Sequence, residues 1–251
     1  MINRRQEALK KIFNIIPWRY SGFFYSIFNH SKGYPRKFKK QNSGKNSYVD
    51  PSVQIIGWKN VEMGHNSILS EGTWLNVNIR DKTEKKIIIG NNCHIGKRNF
   101  LSSGPLIQVK DYCLTSVDCH FLGCGHNIES PFIPYNASGP SSGKIIIVGV
   151  NCWLGTSVTV LEGVQIGYGS VIGARSVVTK SIPPFSIAFG NPCKVVKRYD
   201  FTNNKWITIA EWSDELENII PTEDRYLKTL QEKYSLLNPS LIPSGRHFGW
   251  L

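Results

Sequence analysis

The sequence predicts an all-β fold, a parallel β-helix whose short strands repeat every six residues. Aliphatic side chains recur at this interval without a slip, at Val148, Leu154, Val160, Ile166, Ile172 and Val178. A glycine directly follows four of them, at Gly149, Gly155, Gly167 and Gly173. A helix spaces its apolar residues three or four apart and a simple strand alternates at two, so neither has this period. Short strands joined by tight turns and stacked in coils explain it.

Weaker repeats extend the period towards the N-terminus. It begins with Val49, Ile55 and Val61, is interrupted by the polar segment DKTEKK (81–86), and resumes at Ile89, Ile95, Leu101, Ile107, Cys113 and Cys119. The segment 125–144 has no period and contains three prolines, and a long excursion from a regular scaffold is typical of a functional loop. The repeat-bearing parts, 49–80, 87–124 and 145–182, predict about six coils at three strands per coil.

Three parts are predicted along the chain. Residues 1–46 form a basic N-terminal arm, residues 47–186 form the β-helix with its excursion loop at 125–144, and residues 187–251 form a C-terminal cap and tail. Within the cap, a helix is predicted after Ser213 and a second one over 223–234.

Charge is concentrated in the arm. The chain has a net charge of +12, and residues 1–48 contain eleven Lys and Arg against a single acid, Glu7. Three interpretations stay open: contact with an anionic membrane surface, contact with an acidic glycan, or a solvated cap over the open end of the β-helix. No nucleic-acid-binding motif accompanies the arm, so we expect no nucleic acid partner.

The apolar and cysteine patterns bear on location. The apolar run over 12–28 is interrupted by Pro17 and Arg19, so it predicts neither a transmembrane helix nor a signal peptide. The six cysteines form no CxxC pair, and Cys113 and Cys119 follow the repeat as small core residues. Free thiols without an export signal indicate a cytoplasmic location, with the inner face of the membrane as a further possibility for the arm.

Residues 148–199, VGVNCWLGTSVTVLEGVQIGYGSVIGARSVVTKSIPPFSIAFGNPCKVVKRY, resemble the hexapeptide-repeat acyltransferases. The departures from that family's pattern are Arg175 for a usual glycine and Cys193 for a usual alanine. The resemblance implies a left-handed coil, an exception to the usual right-handed crossover. It also implies a homotrimer with sites between neighbouring prisms and acetyl-CoA as acetyl donor, with no metal. The C-terminal tail resembles members that O-acetylate capsular or lipopolysaccharide sugars.

The resemblance assigns roles to individual residues. His126, which opens the excursion, corresponds to the general base that removes the proton from a sugar hydroxyl. Trp153 corresponds to a tryptophan beside the acetyl and acceptor site, and backbone N–H groups near Gly155 correspond to the donors for the oxyanion. The remaining coenzyme contacts fall on three small residues along the pantetheine arm and three lysines at the phosphates: Thr156, Ala174, Thr179, Lys180, Lys194 and Lys197.

Several alternatives stay open. His120 is the second candidate for the base, and either Asp118 or Glu129 is a candidate to orient it. An amino-sugar N-acetyltransferase is the main rival to O-acetylation. A metalloenzyme like the γ-type carbonic anhydrases, with His94, His120 and His126 as ligands, and a non-enzymatic scaffold are further alternatives.

Overall fold

The computed structural model describes Phe38, residues 41–80 and residues 83–234. Residues 1–37 and 39–40, which make up most of the predicted basic arm, lie outside the described residues. So do residues 81–82 and residues 235–251, the end of the predicted tail.

The prism has three faces of parallel strands, and the chain visits them in a constant order. Face I contains β1, β4, β7, β10, β13 and β16, face II contains β2, β5, β8, β11, β14 and β17, and face III contains β3, β6, β9, β12 and β15. Six coils result, as the sequence predicted. The strands are β1 (Tyr48–Val49), β2 (Gln54–Ile56), β3 (Val61–Met63), β4 (Ile68–Leu69), β5 (Trp74–Val77), β6 (Ile87–Ile89), β7 (His94–Ile95), β8 (Phe100–Ser103), β9 (Ile107–Val109), β10 (Leu114–Thr115), β11 (His120–Leu122), β12 (Ile146–Val148), β13 (Trp153–Leu154), β14 (Thr159–Leu161), β15 (Gln165–Ile166), β16 (Val171–Ile172), β17 (Val177–Val178), β18 (Ser186–Gly190), β19 (Cys193–Asp200) and β20 (Lys205–Thr208).

The six-residue aliphatic series forms the core. All six members point inward. The first three stack on the residue 18 positions later: Val148 on Ile166, Leu154 on Ile172 and Val160 on Val178. All six residues from Val148 to Val178 are completely buried. The interior of each of these coils therefore receives one aliphatic side chain from each of the three faces. The apolar area that these side chains remove from water drives the stacking of the coils.

The predicted phase is wrong in one segment. The structure pairs Ile89 with Val109, Ile95 with Thr115 and Leu101 with Phe121, so the coil at this point has 20 residues. The two additional residues fall between the core residues Leu101 and Val109, where β8 and β9 are each one residue longer than β14 and β15. Ile107, Cys113 and Cys119 are buried as expected, but each stands two positions before the core residue of its strand.

The corners show why glycine and asparagine recur. A Cβ added at Gly155 would lie 2.7 Å from the backbone nitrogen of Ala174 in the next coil, so close stacking requires glycine there. Other corner residues have a left-handed backbone, such as Asn92 with φ of 55° and Asn151 with φ of 54°. Asparagine tolerates this conformation better than most residues. Arg175, which replaces a glycine of the family pattern, has the same conformation, with φ of 59°.

Beyond the sixth coil the fold changes. Strand β18 continues face I in parallel with β16, and β19 and β20 then extend the same sheet in antiparallel order. The predicted helices are present as α1 (Asp214–Asn218) and α2 (Glu223–Lys233), although the Ser213 side chain makes no capping hydrogen bond. Helix α2 lies along the side of the prism. Among the described helices, none is long and apolar enough to cross a membrane.

Candidate active site

His126 lies in the neck of the excursion, where residues 124–127 meet residues 139–141. The loop leaves β11 on face II and returns to β12 on face III, so it projects from the edge between these faces, edge II–III. Its two strands meet in hydrogen bonds from Ser141 N to Gly125 O (2.9 Å) and from Asn127 N to Gly139 O (3.0 Å). The His126 imidazole is exposed and makes no hydrogen bond within the described part of the chain. These hydrogen bonds hold the backbone on both sides of His126 and leave its imidazole accessible, as a proton acceptor requires.

Sequence reasoning missed the second half of this neck. The Ser141 hydroxyl accepts a hydrogen bond from Gly125 N (3.1 Å), and the Ser141 carbonyl accepts one from the Cys124 thiol (3.2 Å). Ser141 lies 15 residues after His126 in a segment without periodicity. Its proximity follows only from how the loop closes, and nothing in the sequence pattern marks it.

Trp153 lies on face I, not on the edge that carries His126. It stands on β13 between Leu114 and Val171 of the neighbouring coils, and half of its surface is exposed. Its indole N–H donates a weak hydrogen bond to the Ser116 hydroxyl (3.4 Å). Ser116 was not a sequence candidate, since it carries no motif.

The small residues Thr156 and Ala174 occupy successive coils at a second corner, the edge between faces I and II (edge I–II). Arg175 N donates to Thr156 O (2.8 Å) and thereby joins the two corners. The expected oxyanion donors are backbone N–H groups near Gly155, and the N–H of Gly155 itself donates to Ile172 O (2.8 Å). The N–H groups of Thr156 and Ala174, in contrast, donate to no described residue. Two unpaired backbone donors one coil apart suit the amides and carbonyls of an extended ligand.

The predicted basic positions are split between two places. Thr179 and Lys180 follow β17 and are exposed on edge II–III, the edge that also carries the excursion. Lys194 and Lys197 lie on β19, where they pair with Phe189 and Ile187 of β18 in the extension of face I. All three lysine side chains are exposed.

A single chain therefore does not assemble the predicted residues into one place. His126, Thr179 and Lys180 belong to edge II–III, Thr156 and Ala174 belong to edge I–II, and Trp153 belongs to face I.

The remaining sequence candidates occupy structural positions. Asp118 accepts two hydrogen bonds from Arg98, at 2.8 and 2.9 Å, on edge I–II, and this guanidinium lowers the pKa of the carboxyl. Within one chain Asp118 thus lies on a different edge from His126, and its role in orienting the base stays a prediction. The other candidate, Glu129, is exposed in the excursion, and no described contact joins its carboxylate to His126.

The histidines of the metalloenzyme alternative lie apart. His94 is on face I, where its Nε2 lies 3.0 Å from the Ser70 hydroxyl and burial lowers its pKa, and His120 is on face II against Phe100. Among residues 41–80 and 83–234, no group of three His, Cys, Asp or Glu side chains is arranged to hold a metal ion.

Comparison with known proteins agrees with the repeat. Residues 145–180 match the family model described as the hexapeptide repeat of succinyl-transferase. A Lysinibacillus sphaericus protein named a probable macrolide acetyltransferase is 34% identical over 160 residues, which cover 60% of this chain and 84% of that protein. The galactoside O-acetyltransferase of Escherichia coli is 38% identical over 112 residues, which cover 43% of this chain and 55% of that protein. The chain thus spans about half the length of several curated relatives that it matches.

A solved structure shares the fold. The N-acyltransferase AntD from Bacillus cereus, in complex with dTDP and 3-hydroxybutyryl-CoA, aligns with a TM-score of 0.56 at 22% identity, over 78% of this chain and 96% of that one. The Lysinibacillus sphaericus relative and the hexapeptide-repeat model show that the chain belongs to the hexapeptide-repeat acyltransferase family. The predicted fold class, a left-handed parallel β-helix with a protruding loop and C-terminal helices, is confirmed.

Proposed function

We propose that the protein is an acetyl-CoA-dependent O-acetyltransferase that acetylates a hydroxyl of a cell-surface polysaccharide sugar. One observation carries the proposal: the His126 imidazole is accessible, and backbone hydrogen bonds hold the chain on both sides of it. Relatives of the chain are named acetyltransferases. The name of the Escherichia coli relative, a galactoside O-acetyltransferase, favours a sugar hydroxyl as acceptor.

His126 acts as the general base in this proposal. The imidazole takes the hydroxyl proton while the sugar oxygen attacks the thioester carbonyl of acetyl-CoA, and the tetrahedral intermediate then expels the coenzyme A thiolate, which recovers the proton from the imidazolium. Transfer is direct, without a covalent acyl-enzyme. Histidine suits this exchange because its ordinary pKa lies near neutral pH.

The corner donors of edge I–II hold the acetyl donor. Of the backbone N–H groups near Gly155, that of Thr156 donates to no described residue and is the candidate for stabilising the oxyanion. The N–H of Ala174 meets the pantetheine arm one coil further on. Trp153 packs beside the acetyl group. Thr179 and Lys180 contact the coenzyme from edge II–III, and Lys194 and Lys197 reach its phosphates as flexible point charges.

The site needs a homotrimer in this proposal, because its residues are divided between two edges. His126 of one copy then faces the coenzyme held on edge I–II of the next. The three-part organisation into 1–46, 47–186 and 187–251 stays a prediction, as does contact of the basic N-terminal segment with an anionic glycan or membrane surface. A cytoplasmic location stays a prediction as well.

The test is acetyl transfer from acetyl-CoA to a panel of bacterial surface glycans and amino sugars, followed by release of the coenzyme A thiol. We expect an ester product, which mild alkali cleaves, and a decrease of about 10²-fold in kcat for His126→Ala. Binding of acetyl-CoA, measured by calorimetry, should be preserved in that variant because the imidazole touches the acceptor side.

His65→Ala is the matched control. His65 is also exposed, but it lies on the edge between faces III and I, where its Nδ1 accepts a hydrogen bond from Lys45 N (2.8 Å). This variant should keep wild-type turnover. Full turnover in His126→Ala would remove His126 as the base, and an alkali-resistant product would redirect the proposal to amino-sugar N-acetylation.

A further inference from the structure

The outer surface of face II carries a column of three aromatic side chains, the ring column. Trp74, Phe100 and His120 are in register on β5, β8 and β11, so they lie side by side on successive coils. The ring centroids of Trp74 and Phe100 are 4.8 Å apart, and those of Phe100 and His120 are 6.5 Å apart. Trp74 is 39% exposed, and the two other rings are partly exposed. The ring column therefore offers apolar surface that a ligand could cover.

A row of polar side chains runs beside the ring column, on the side of edge II–III. The second outward residue of a strand stands two positions after its ring, which gives Asn76 on β5 and Ser102 on β8. The Asn76 side-chain amide donates to Asn78 Oδ1 (2.8 Å), and the Asn78 amide donates to the Ser102 hydroxyl (2.9 Å). Among the described residues, the Asn76 carbonyl oxygen and the Ser102 hydroxyl proton have no further partner. The row thus keeps one acceptor and one donor for a ligand.

Both features lead to the neck of the excursion. Only β5, β8 and β11 begin with a ring, whereas β2, β14 and β17 begin with Gln, Thr and Val. Strand β11 continues directly into the excursion, and Gly123 N donates to Ser102 O (2.9 Å) three residues before His126. The ring column therefore ends on the coil that carries the candidate base.

The strands of face II contain no Asp, Glu, Lys or Arg. A carboxylate or phosphate placed on this face would lose water without gaining a cation from it, which costs free energy. An uncharged sugar avoids that cost. The C–H groups of a pyranose ring pack on the face of an aromatic ring, and its hydroxyl groups pair with amide and hydroxyl groups at the side.

We propose that face II holds an uncharged glycan chain along the ring column, with one sugar at the neck and the next sugars on Phe100 and Trp74. This inference rests on the proposed function and narrows its acceptor to a neutral chain of at least two sugars. Trp74 lies two coils before His120, or about 10 Å at the usual strand spacing, which is more than one pyranose ring spans. A glycan also suits the polar row better than an apolar protein surface, which would bury the Asn76 carbonyl oxygen unpaired.

The inference is tested by removing one ring and varying the length of the glycan. The probes are uncharged glucans and galactans of one, two and four sugars, and calorimetry measures their binding to the wild type and to Trp74→Leu. We expect the wild type to bind the longer glycans at least about tenfold more tightly than the single sugar. Trp74→Leu should lose most of this gain and keep its affinity for the single sugar. Trp74→Phe, which retains a ring, should keep the gain.

Tyr48→Leu is the matched control. Tyr48 is an outward aromatic residue of face I with the same exposure, 39%, so this variant should bind every probe as the wild type does. The far-ultraviolet spectrum checks the fold of each variant. The inference is overturned if no longer glycan binds the wild type more tightly than a single sugar, or if Trp74→Leu keeps the full gain. A lower sedimentation mass of Trp74→Leu would also overturn it, because a second copy would then cover face II.

Acetyl transfer separates this inference from the proposed function. Transfer to one, two and four sugars with equal kcat/KM, in the wild type and in Trp74→Leu, would keep the function and reject the ring column as a glycan site. Binding of the longer glycans through Trp74, without acetyl transfer to any of them, would support the ring column and reject the function.

Discussion

Edge III–I, which lies between faces III and I, and edge II–III belong to the same coils, but the connections between strands differ in length on the two edges. Every turn between a face III strand and the following face I strand has four residues, as has every turn on edge I–II. On edge II–III the connections vary from three residues, at 104–106 and 162–164, to 23 residues at 123–145. The chain thus confines its insertions to one corner of the coil. Two edges keep the register of the stack, and the third is left to vary and carries the candidate base.

The first prediction tests the regular part of that comparison. Leu154→Ala removes a fully buried side chain that stacks on Ile172, and we expect the free energy of unfolding to decrease by about 2–5 kcal/mol. Denaturant titration followed by circular dichroism measures it. Leu161→Ala, on the outer side of β14, is the control and should lose far less. Equal losses would mean that the inward series does not form the core.

The second prediction concerns the helix on edge III–I. Glu223→Gln weakens the pairing of its carboxylate with Lys110 and the hydrogen bond from Val150 N. We expect about 1–3 kcal/mol of destabilisation, because a charged acceptor is lost at a partly buried contact. Glu232→Gln, on an exposed position of the same helix, should have little effect in thermal unfolding. A similar melting temperature for both variants would show that the carboxylate does not anchor α2.

The third prediction returns to the variable edge. Lys180→Ala should raise the KM for acetyl-CoA by about three- to tenfold, with little change in kcat, because an exposed cation that touches only the coenzyme contributes to binding. Steady-state kinetics measures both constants. Lys205→Ala, an exposed lysine on β20, is the control. An unchanged KM in Lys180→Ala would remove this residue from the site.

The smallest expected effect concerns the reactivity of the cysteine thiols, which differ in burial between edge III–I and edge II–III. Cys93, Cys113 and Cys152 are buried behind edge III–I, and burial raises the pKa of the Cys93 and Cys113 thiols well above its usual range. Burial likewise raises the pKa of Cys119 to about 11. Only Cys124, in the excursion neck, is half-buried rather than buried among the six cysteines.

Native protein should therefore show one thiol that reacts quickly with a disulfide reagent, and six after denaturation. Cys124→Ser should abolish the quick reaction and leave the melting temperature unchanged. Rapid reaction of a second thiol would contradict the burial of the other five cysteines.

The sequence by itself determined the repeat, the number of coils, the position of the excursion and the C-terminal helices. Each of these depends on local periodicity, on glycine where coils approach closely, and on helix-forming composition. The same periodicity misplaced Ile107, Cys113 and Cys119 by two residues, because the two residues added between Leu101 and Val109 leave buried side chains in both candidate phases.

Only the tertiary structure decided which edge each residue occupies. Six residues advance the chain by one face, so small differences in turn length move a side chain to another corner without changing its local pattern. That is why His126 and Trp153 lie on different parts of the prism, why the Gly155 N–H is used by Ile172 while the Thr156 N–H is free, and why α2 covers one edge alone. Backbone hydrogen bonds between coils join residues 15 or more positions apart, and sequence spacing does not specify such long-range pairings.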